Sequence, residues 1–275
     1  FAFAGSTLTR ASSATSELTQ GADLELRWKG LATYPSVTAS RFGDVTSGST
    51  MPSSAPSFGL RQWYVSQFNG RDSQVVNSNP YQQRNSGYDQ LNVIQKFSIA
   101  LAPNWDLGLS AIYTTSGDVP RYDRLTEVVS ATLLPKFAEW NYGPQLLSMN
   151  TVSLNGKNVG LFGDDIRVSA SYQWYEESRH WRNYQTTSRR HQVERLSMVN
   201  INADLRTHLG DGQHESDLYY GIEASIQDAT STGTSENIAT NAISRAATRY
   251  PDGGSSYSTY ALYAQYRHEL YEDLT

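Results

Sequence analysis

Cysteine is absent from the 275 residues, so there is no disulfide framework, no thiolate metal site and no thiol nucleophile. No stretch of 18 consecutive residues stays apolar, which excludes a membrane-spanning helix. Charge is sparse at 18% and leans acidic, with 27 Asp and Glu against 22 Lys and Arg, a net of −5. That balance excludes a broad basic face for nucleic acid. What the chain has instead is aromatic: 18 tyrosines and six tryptophans. Disordered chains are charge-rich and aromatic-poor, so two classes remain. One is a β-rich soluble protein; the other is an outer-membrane barrel, whose helix-style hydropathy is always weak. The length suits one sizeable domain or two small ones.

Residue 1 is Phe, and Phe1-Ala2-Phe3-Ala4 already alternates like a strand under way, with no signal peptide before it. Tyr271-Glu272-Asp273-Leu274-Thr275 reads as a turn. These ends predict an internal piece of a longer chain, forming a single partial domain over residues 1–275 with strands to either side.

The dominant period is two. Ile166, Val168, Ala170, Tyr172 and Trp174 share one face, while Arg167, Ser169, Ser171 and Gln173 share the other. Val199, Ile201, Ala203 and Leu205 alternate with Asn200, Asn202, Asp204 and Arg206 in the same way. Leu218 to Gln227 repeats the pattern, as do Leu91 to Leu101, Trp105 to Tyr113 and Tyr257 to Arg267. Strands with one apolar and one polar face alternate like this. Several stretches hold the pattern for about 9–11 residues or more, the length a tilted strand needs to cross a bilayer. Tyr and Trp gather near stretch ends, as in interfacial girdles, although they are also good strand formers anywhere.

Short turns at Lys29-Gly30, Ala102-Pro103-Asn104, Asn155 to Asn158 and Gly210-Asp211-Gly212 alternate with long polar segments. The long segments are Asp44 to Gly87, Gly117 to Gly143, Ser178 to His191 and Thr230 to Ser256. In an up-and-down barrel every second connection lies on the same rim, so this order fits short periplasmic turns and long extracellular loops. The prediction is an all-β, antiparallel, up-and-down transmembrane β-barrel, of which about ten strands are present. No repeat of 20–50 residues and no second domain stands out.

Catalytic patterns are thin, and the chain reads as a non-enzyme. Glu176 and Glu177 adjoin on a strand, so they face opposite sides and cannot form an acid/base dyad. His180, His191, His208, His214 and His268 are dispersed and make no HExxH, so no metal set is expected. Asp72, Asp118 and Asp123 lack calcium-loop spacing, and no G-x-S-x-G elbow occurs. No resident cofactor is expected. Lys96, Arg167, Asp204, Arg206, Glu223 and Arg267 are predicted to face the interior, a mixed-sign lining suited to water or a polar plug.

Residues 115–127, Thr-Ser-Gly-Asp-Val-Pro-Arg-Tyr-Asp-Arg-Leu-Thr-Glu, resemble the barrel of TonB-dependent outer-membrane receptors, with the Bacteroidetes-type group most alike. Residues 138–145, Ala-Glu-Trp-Asn-Tyr-Gly-Pro-Gln, fit the same pattern. So do Ser86 to Asn92, Glu176 to His180 and Arg249-Tyr250-Pro251-Asp252-Gly253, in the family's order across most of residues 58 to 268. The resemblance implies roughly the middle of a barrel of about 22 strands, closed in the whole receptor by an N-terminal plug. The family's plug and TonB box have no counterpart here. It also implies import of a scarce nutrient (a ferric siderophore or other iron chelate, haem or cobalamin), energised by the TonB complex through the absent plug region. Localisation is then the bacterial outer membrane, with lipid as a further partner and no nucleic acid. Asn77-Ser78-Asn79-Pro80 matches a haem-receptor loop box only loosely. Loop residues expected to bind ligand are Trp63, Tyr64, Arg121, Tyr122, Arg124, Trp140, Tyr142, His180 and Trp181. Two alternatives remain: a passive porin or adhesin-like barrel, and a soluble β-rich protein with one solvated sheet face.

Overall fold

The protein is described here from a computed structural model that covers residues 1–160, 163–210, 215–250 and 253–268. In chain order the elements are β1 (Ala2–Ser12), β2 (Glu17–Trp28), β3 (Leu31–Phe42), β4 (Val45–Thr46), β5 (Trp63–Phe68) and β6 (Arg71–Val76). There follow β7 (Gln82–Gln83), β8 (Tyr88–Ala102), β9 (Trp105–Ser116), β10 (Val119–Pro120), the helical turn α1 (Tyr122–Leu125) and β11 (Phe137–Tyr142). The last are β12 (Gln145–Lys157), β13 (Asp165–Asn183), β14 (Ser188–His208), β15 (Ser216–Asn237), β16 (Ala242–Arg245) and β17 (Ser255–His268).

Ten long strands form one antiparallel sheet in the order β1-β2-β3-β8-β9-β12-β13-β14-β15-β17, each beside the next long strand of the chain. This is the up-and-down arrangement expected from the alternation. Among the described residues β1 pairs only with β2, and β17 only with β15.

Register explains the alternation. One row crosses all ten strands as Phe3, Leu26, Thr33, Phe97, Leu109, Val152, Ala170, Ile201, Ala224 and Tyr260. One residue along, on the opposite pleat, runs Lys96, Ser110, Thr151, Ser171, Asn200, Ser225 and Thr259. A one-residue slip would swap these two faces throughout, so the pattern itself fixes the register. Lys96, Arg167, Asp204, Arg206, Glu223 and Arg267 all fall on the polar face, as expected.

No second layer covers the apolar face among the described residues. Leu262 is 83% exposed, Ile222 50% and Val152 49%. Among the described residues the buried apolar side chains, Val65, Leu125, Pro135 and Phe137, all lie on connections and none on the ten long strands. A soluble sheet would bury its apolar face.

Glycine is required at position 221. Tyr263 lies opposite Gly221 and donates its hydroxyl, at 2.7 Å, to Asp204 on the strand beyond. A Cβ at Gly221 would come 2.4 Å from the Ala203 carbonyl oxygen and 2.6 Å from the Tyr263 ring.

The longest connections, 43–87 and 117–144, share one rim, and three readings of the sequence are corrected. One rim carries the connections that follow β2, β8, β12 and β14; the other carries those that follow β1, β3, β9, β13 and β15. The predicted loop from Ser178 to His191 is strand instead: β13 and β14 stay paired up to Arg182 opposite Arg189, leaving a turn of four residues with Gln185 at φ 58°. His180 and Trp181 therefore stand on β13 and not in a loop. Thr230 to Ser256 shortens likewise, because β15 runs to Asn237. From Glu176 to Arg182 both pleats carry polar side chains, so the apolar–polar contrast that marks a strand disappears while its hydrogen-bond ladder continues. β12 also runs on to Lys157, which moves the predicted Asn155 to Asn158 turn into residues 158–164. His214, Asp211, Gly212, Pro251, Asp252 and the turn predicted at 271–275 lie outside the described residues.

Candidate ligand-binding rim

The long connections fold against one another before they meet any ligand. Arg61 is only 3% exposed; its Nε donates to the Trp63 carbonyl at 2.8 Å and its Nη2 to the Leu125 carbonyl at 3.3 Å. Its guanidinium sits 4.9 Å from the Tyr122 ring centroid and 5.7 Å from that of Trp63. Burial lowers the pKa of this guanidinium, with Tyr122 and Asp44 opposing that shift. Asn77, also 3% exposed, donates to the Arg61 and Gln82 carbonyls. Its amide nitrogen therefore holds the loop together.

A longer chain of charges ties three connections to the strand tips. Asp72, at the start of β6, receives Arg182 Nη1 and Nη2 at 2.7 and 2.8 Å and the Gln185 amide at 2.7 Å. Arg182 Nε reaches Glu139 on β11 at 2.9 Å, and Arg189 reaches the other Glu139 oxygen at 2.6 Å. Arg189 and His191 then share Glu236, at 3.2 and 3.1 Å. Burial alone would raise the Glu139 pKa, yet hydrogen bonds from Arg189 and Arg182 hold it below the usual carboxylate range. Arg61, Glu139, Arg182 and Glu236 were not picked out from sequence, since partners so far apart leave no local pattern.

Four of the expected residues meet on one pleat. Trp140 on β11 lies opposite Trp181 on β13, with rings stacked at 6.3 Å, and Tyr142 meets Trp140 edge-on at 5.0 Å. The Arg121 guanidinium sits 4.8 Å from the Trp140 centroid and 5.7 Å from that of Tyr142. Asp123, hydrogen-bonded to Arg121 at 3.0 Å, raises the guanidinium's pKa. On the far side of Tyr142, Arg179 stands 5.6 Å from the ring centroid. All four are half-buried, leaving ring faces and guanidinium edges for a guest.

The others are placed differently. Trp63 and Tyr122 sandwich Arg61, as described, and Tyr64 lies opposite Val75 in the β5–β6 hairpin. Arg124 is engaged by Glu127, which also takes Lys136 at 2.8 Å. His180 lies on the other pleat of β13, with Nε2 3.0 Å from Asp118 Oδ1 and its ring 5.4 Å from that of His191. Glu176 and Glu177 take separate partners, Arg195 at 2.6 Å and Arg179 at 2.7 Å. Among the described residues no three His, Asp or Glu side chains are grouped to hold a metal ion.

No protein-family model matches the chain, and no curated protein sequence does. Solved structures do. The copper transporter OprC superposes with a TM-score of 0.60 at 10% identity, covering 96% of this chain and 35% of its own. The ferric enterobactin receptor PfeA gives 0.57 at 13% identity, covering 98% of this chain and 37% of its own. A mutant of that receptor from Pseudomonas aeruginosa gives 0.55 at 13%, with the same coverages. The chain thus spans little more than a third of the length of these proteins. At such identity the likeness shows a fold: over nearly its whole length, this chain is built like a stretch of the barrel wall, with its loops, of the copper transporter and the ferric enterobactin receptor.

Proposed function

We propose that the chain belongs to an outer-membrane receptor that captures a scarce nutrient, as an iron chelate, haem or cobalamin, on the rim formed by residues 43–87 and 117–144. Import is energised by a TonB complex acting through a plug. The observation that carries this reading is an apolar sheet face left bare to the surroundings, on a fold shared with a copper transporter and a ferric enterobactin receptor. The rim supports capture. Stacked Trp140 and Trp181, with Arg121 and Tyr142, offer broad apolar contact beside fixed donors, the composition of binding hot spots. Their polar atoms are held from behind, by Asp123 and by the main-chain bond from Arg121 to Trp140, so little ordering remains to be done on binding.

A strain deleted for the gene, grown on defined iron chelates, haem or cobalamin as sole source, tests the proposal. Loss of growth on one source, restored by the gene and not by a copy lacking TonB coupling, is the expected result. Unimpaired growth on every source, or growth rescued without TonB, rules out energised import and leaves a passive channel.

A further inference from the structure

Where the connection 238–254 meets β13, β14 and β15, a cavity of about 320 Å³ opens on the polar pleat of the sheet. Two register rows build its wall: Tyr175, Leu196 and Ala229, then Glu177, Glu194 and Ser231. Arg249 and Tyr250, both exposed, flank it from the connection, with the guanidinium 5.4 Å from the Tyr250 ring centroid. The volume falls in the range of small-molecule sites.

The charges inside do not balance. Glu177 accepts Arg179 Nη2 at 2.7 Å and the Tyr175 hydroxyl at 3.3 Å. Glu194 Oε1 accepts the Ser231 hydroxyl at 3.3 Å, while its Oε2 lies 3.7 Å from Arg179 and has no hydrogen-bond donor although it is buried. Arg195 does not help, because it is engaged by Glu176 on the opposite pleat. Two carboxylates thus share one guanidinium within, a net of one negative charge. At the mouth Arg249 forms no ion pair among the described residues, so its guanidinium stands as an exposed positive charge. Arg179 Nε is likewise buried without an acceptor. A buried carboxylate oxygen without a donor is costly, and a charged donor would offset that cost.

We infer that this cavity binds a small zwitterion, an α-amino acid or a dipeptide with an apolar side chain. Its ammonium donates to Glu194 Oε2, its side chain packs against Tyr175, Leu196 and Ala229, and its carboxylate meets Arg249. A simple anion would lie beside an uncompensated Glu194, and a simple cation would face Arg249. Only separated opposite charges satisfy both ends. The inference goes beyond the import reading, and its test is independent of which nutrient is carried.

The intact receptor in detergent micelles is titrated calorimetrically with L-leucyl-L-leucine, its N-acetyl derivative and its C-terminal amide. Saturable binding of the free dipeptide is expected. Glu194→Gln and Arg249→Gln should each weaken it by about tenfold or more, the size of one lost charge-assisted hydrogen bond. The acetyl derivative should bind poorly and ignore Glu194→Gln; the amide should ignore Arg249→Gln. Leu196→Trp fills the cavity without touching a charge and should abolish binding, so the test stands even if the Glu194 variant fails to assemble. Absence of saturable binding, equal binding of the acetyl derivative, or full binding by Leu196→Trp overturns the proposal. A receptor that imports no iron chelate, haem or cobalamin would still be expected to bind the dipeptide.

Discussion

Asp72 and Arg182 stand 110 residues apart in the chain and meet in a two-pronged ion pair, their side chains 1% and 3% exposed. Together with the Gln185 amide on Asp72, this pair docks the β5–β6 hairpin onto the tip of the β13–β14 hairpin. Its burial means that removing one partner strands the other charge away from water.

Asp72→Ala should therefore release the hairpin at a local cost of about 3–5 kcal/mol while the long sheet stays intact. Amide exchange resolves the two: protection over residues 63–76 should fall and that of β8, β9 and β12 should hold. Unchanged protection over 63–76 would mean that the hairpin is held by other contacts.

Glu139 gives the same rim a pH limit. Its carboxyl is held below the usual range, so the stabilisation is complete above the ordinary glutamate value of about 4.3 and is lost as pH falls through the lower folded value. Limited proteolysis of residues 117–144 should accelerate on acidification below about pH 4. Glu139→Gln should already be loose at neutral pH and show a flatter profile.

The apolar row offers a test of the bilayer. Ile201→Arg places a charge on the bare face and should cost about 2–4 kcal/mol in a lipid-embedded barrel, read from unfolding in phospholipid vesicles. Ser171→Leu, on the other pleat, should change little. Equal, small effects at both sites would indicate that water wets both faces.

Gly221→Val should force β14 and β15 apart at the Ala203 carbonyl and displace the Tyr263 ring, a clash worth about 1–3 kcal/mol. Tyr263→Phe keeps the ring and loses only the bond to Asp204, about 1 kcal/mol. Urea midpoints of the refolded protein should rank them in that order.

Within the rim, Trp181→Ala removes half of a stacked pair and, if the proposed import takes place, should raise the half-saturating concentration of the nutrient by about tenfold or more. Stability should remain near wild type, since the ring is half-buried. An unchanged uptake curve would relocate the capture site.

Much of the wall was legible in the sequence because a sheet with one apolar face imposes contrast, as in Val168, Ala170 and Tyr172 against Arg167, Ser169 and Ser171. Beyond Glu176 that contrast vanishes. Residues such as Ser178, His180 and Arg182 look like loop although their backbone ladder runs unbroken to Arg189. The rim was legible only in part. Trp140 and Tyr142 are two residues apart in sequence, while Arg121 and Trp181 reach them through the fold, Trp181 by β-pairing. Arg61 and the charges linking Asp72 to Glu236 were not visible, because no short-range spacing records which loop a distant guanidinium will bury itself in.

β13, β14 and β15 run 19, 21 and 22 residues, whereas β2 and β3 run 12. With about 9–11 residues enough to cross a bilayer, roughly ten in each of the three are left over, about 30 Å of strand. The sheet is therefore lopsided: counted along the register, β13, β14 and β15 run past the ends of β2 and β3, and that extra height carries Arg182, Arg189, His191 and Glu236.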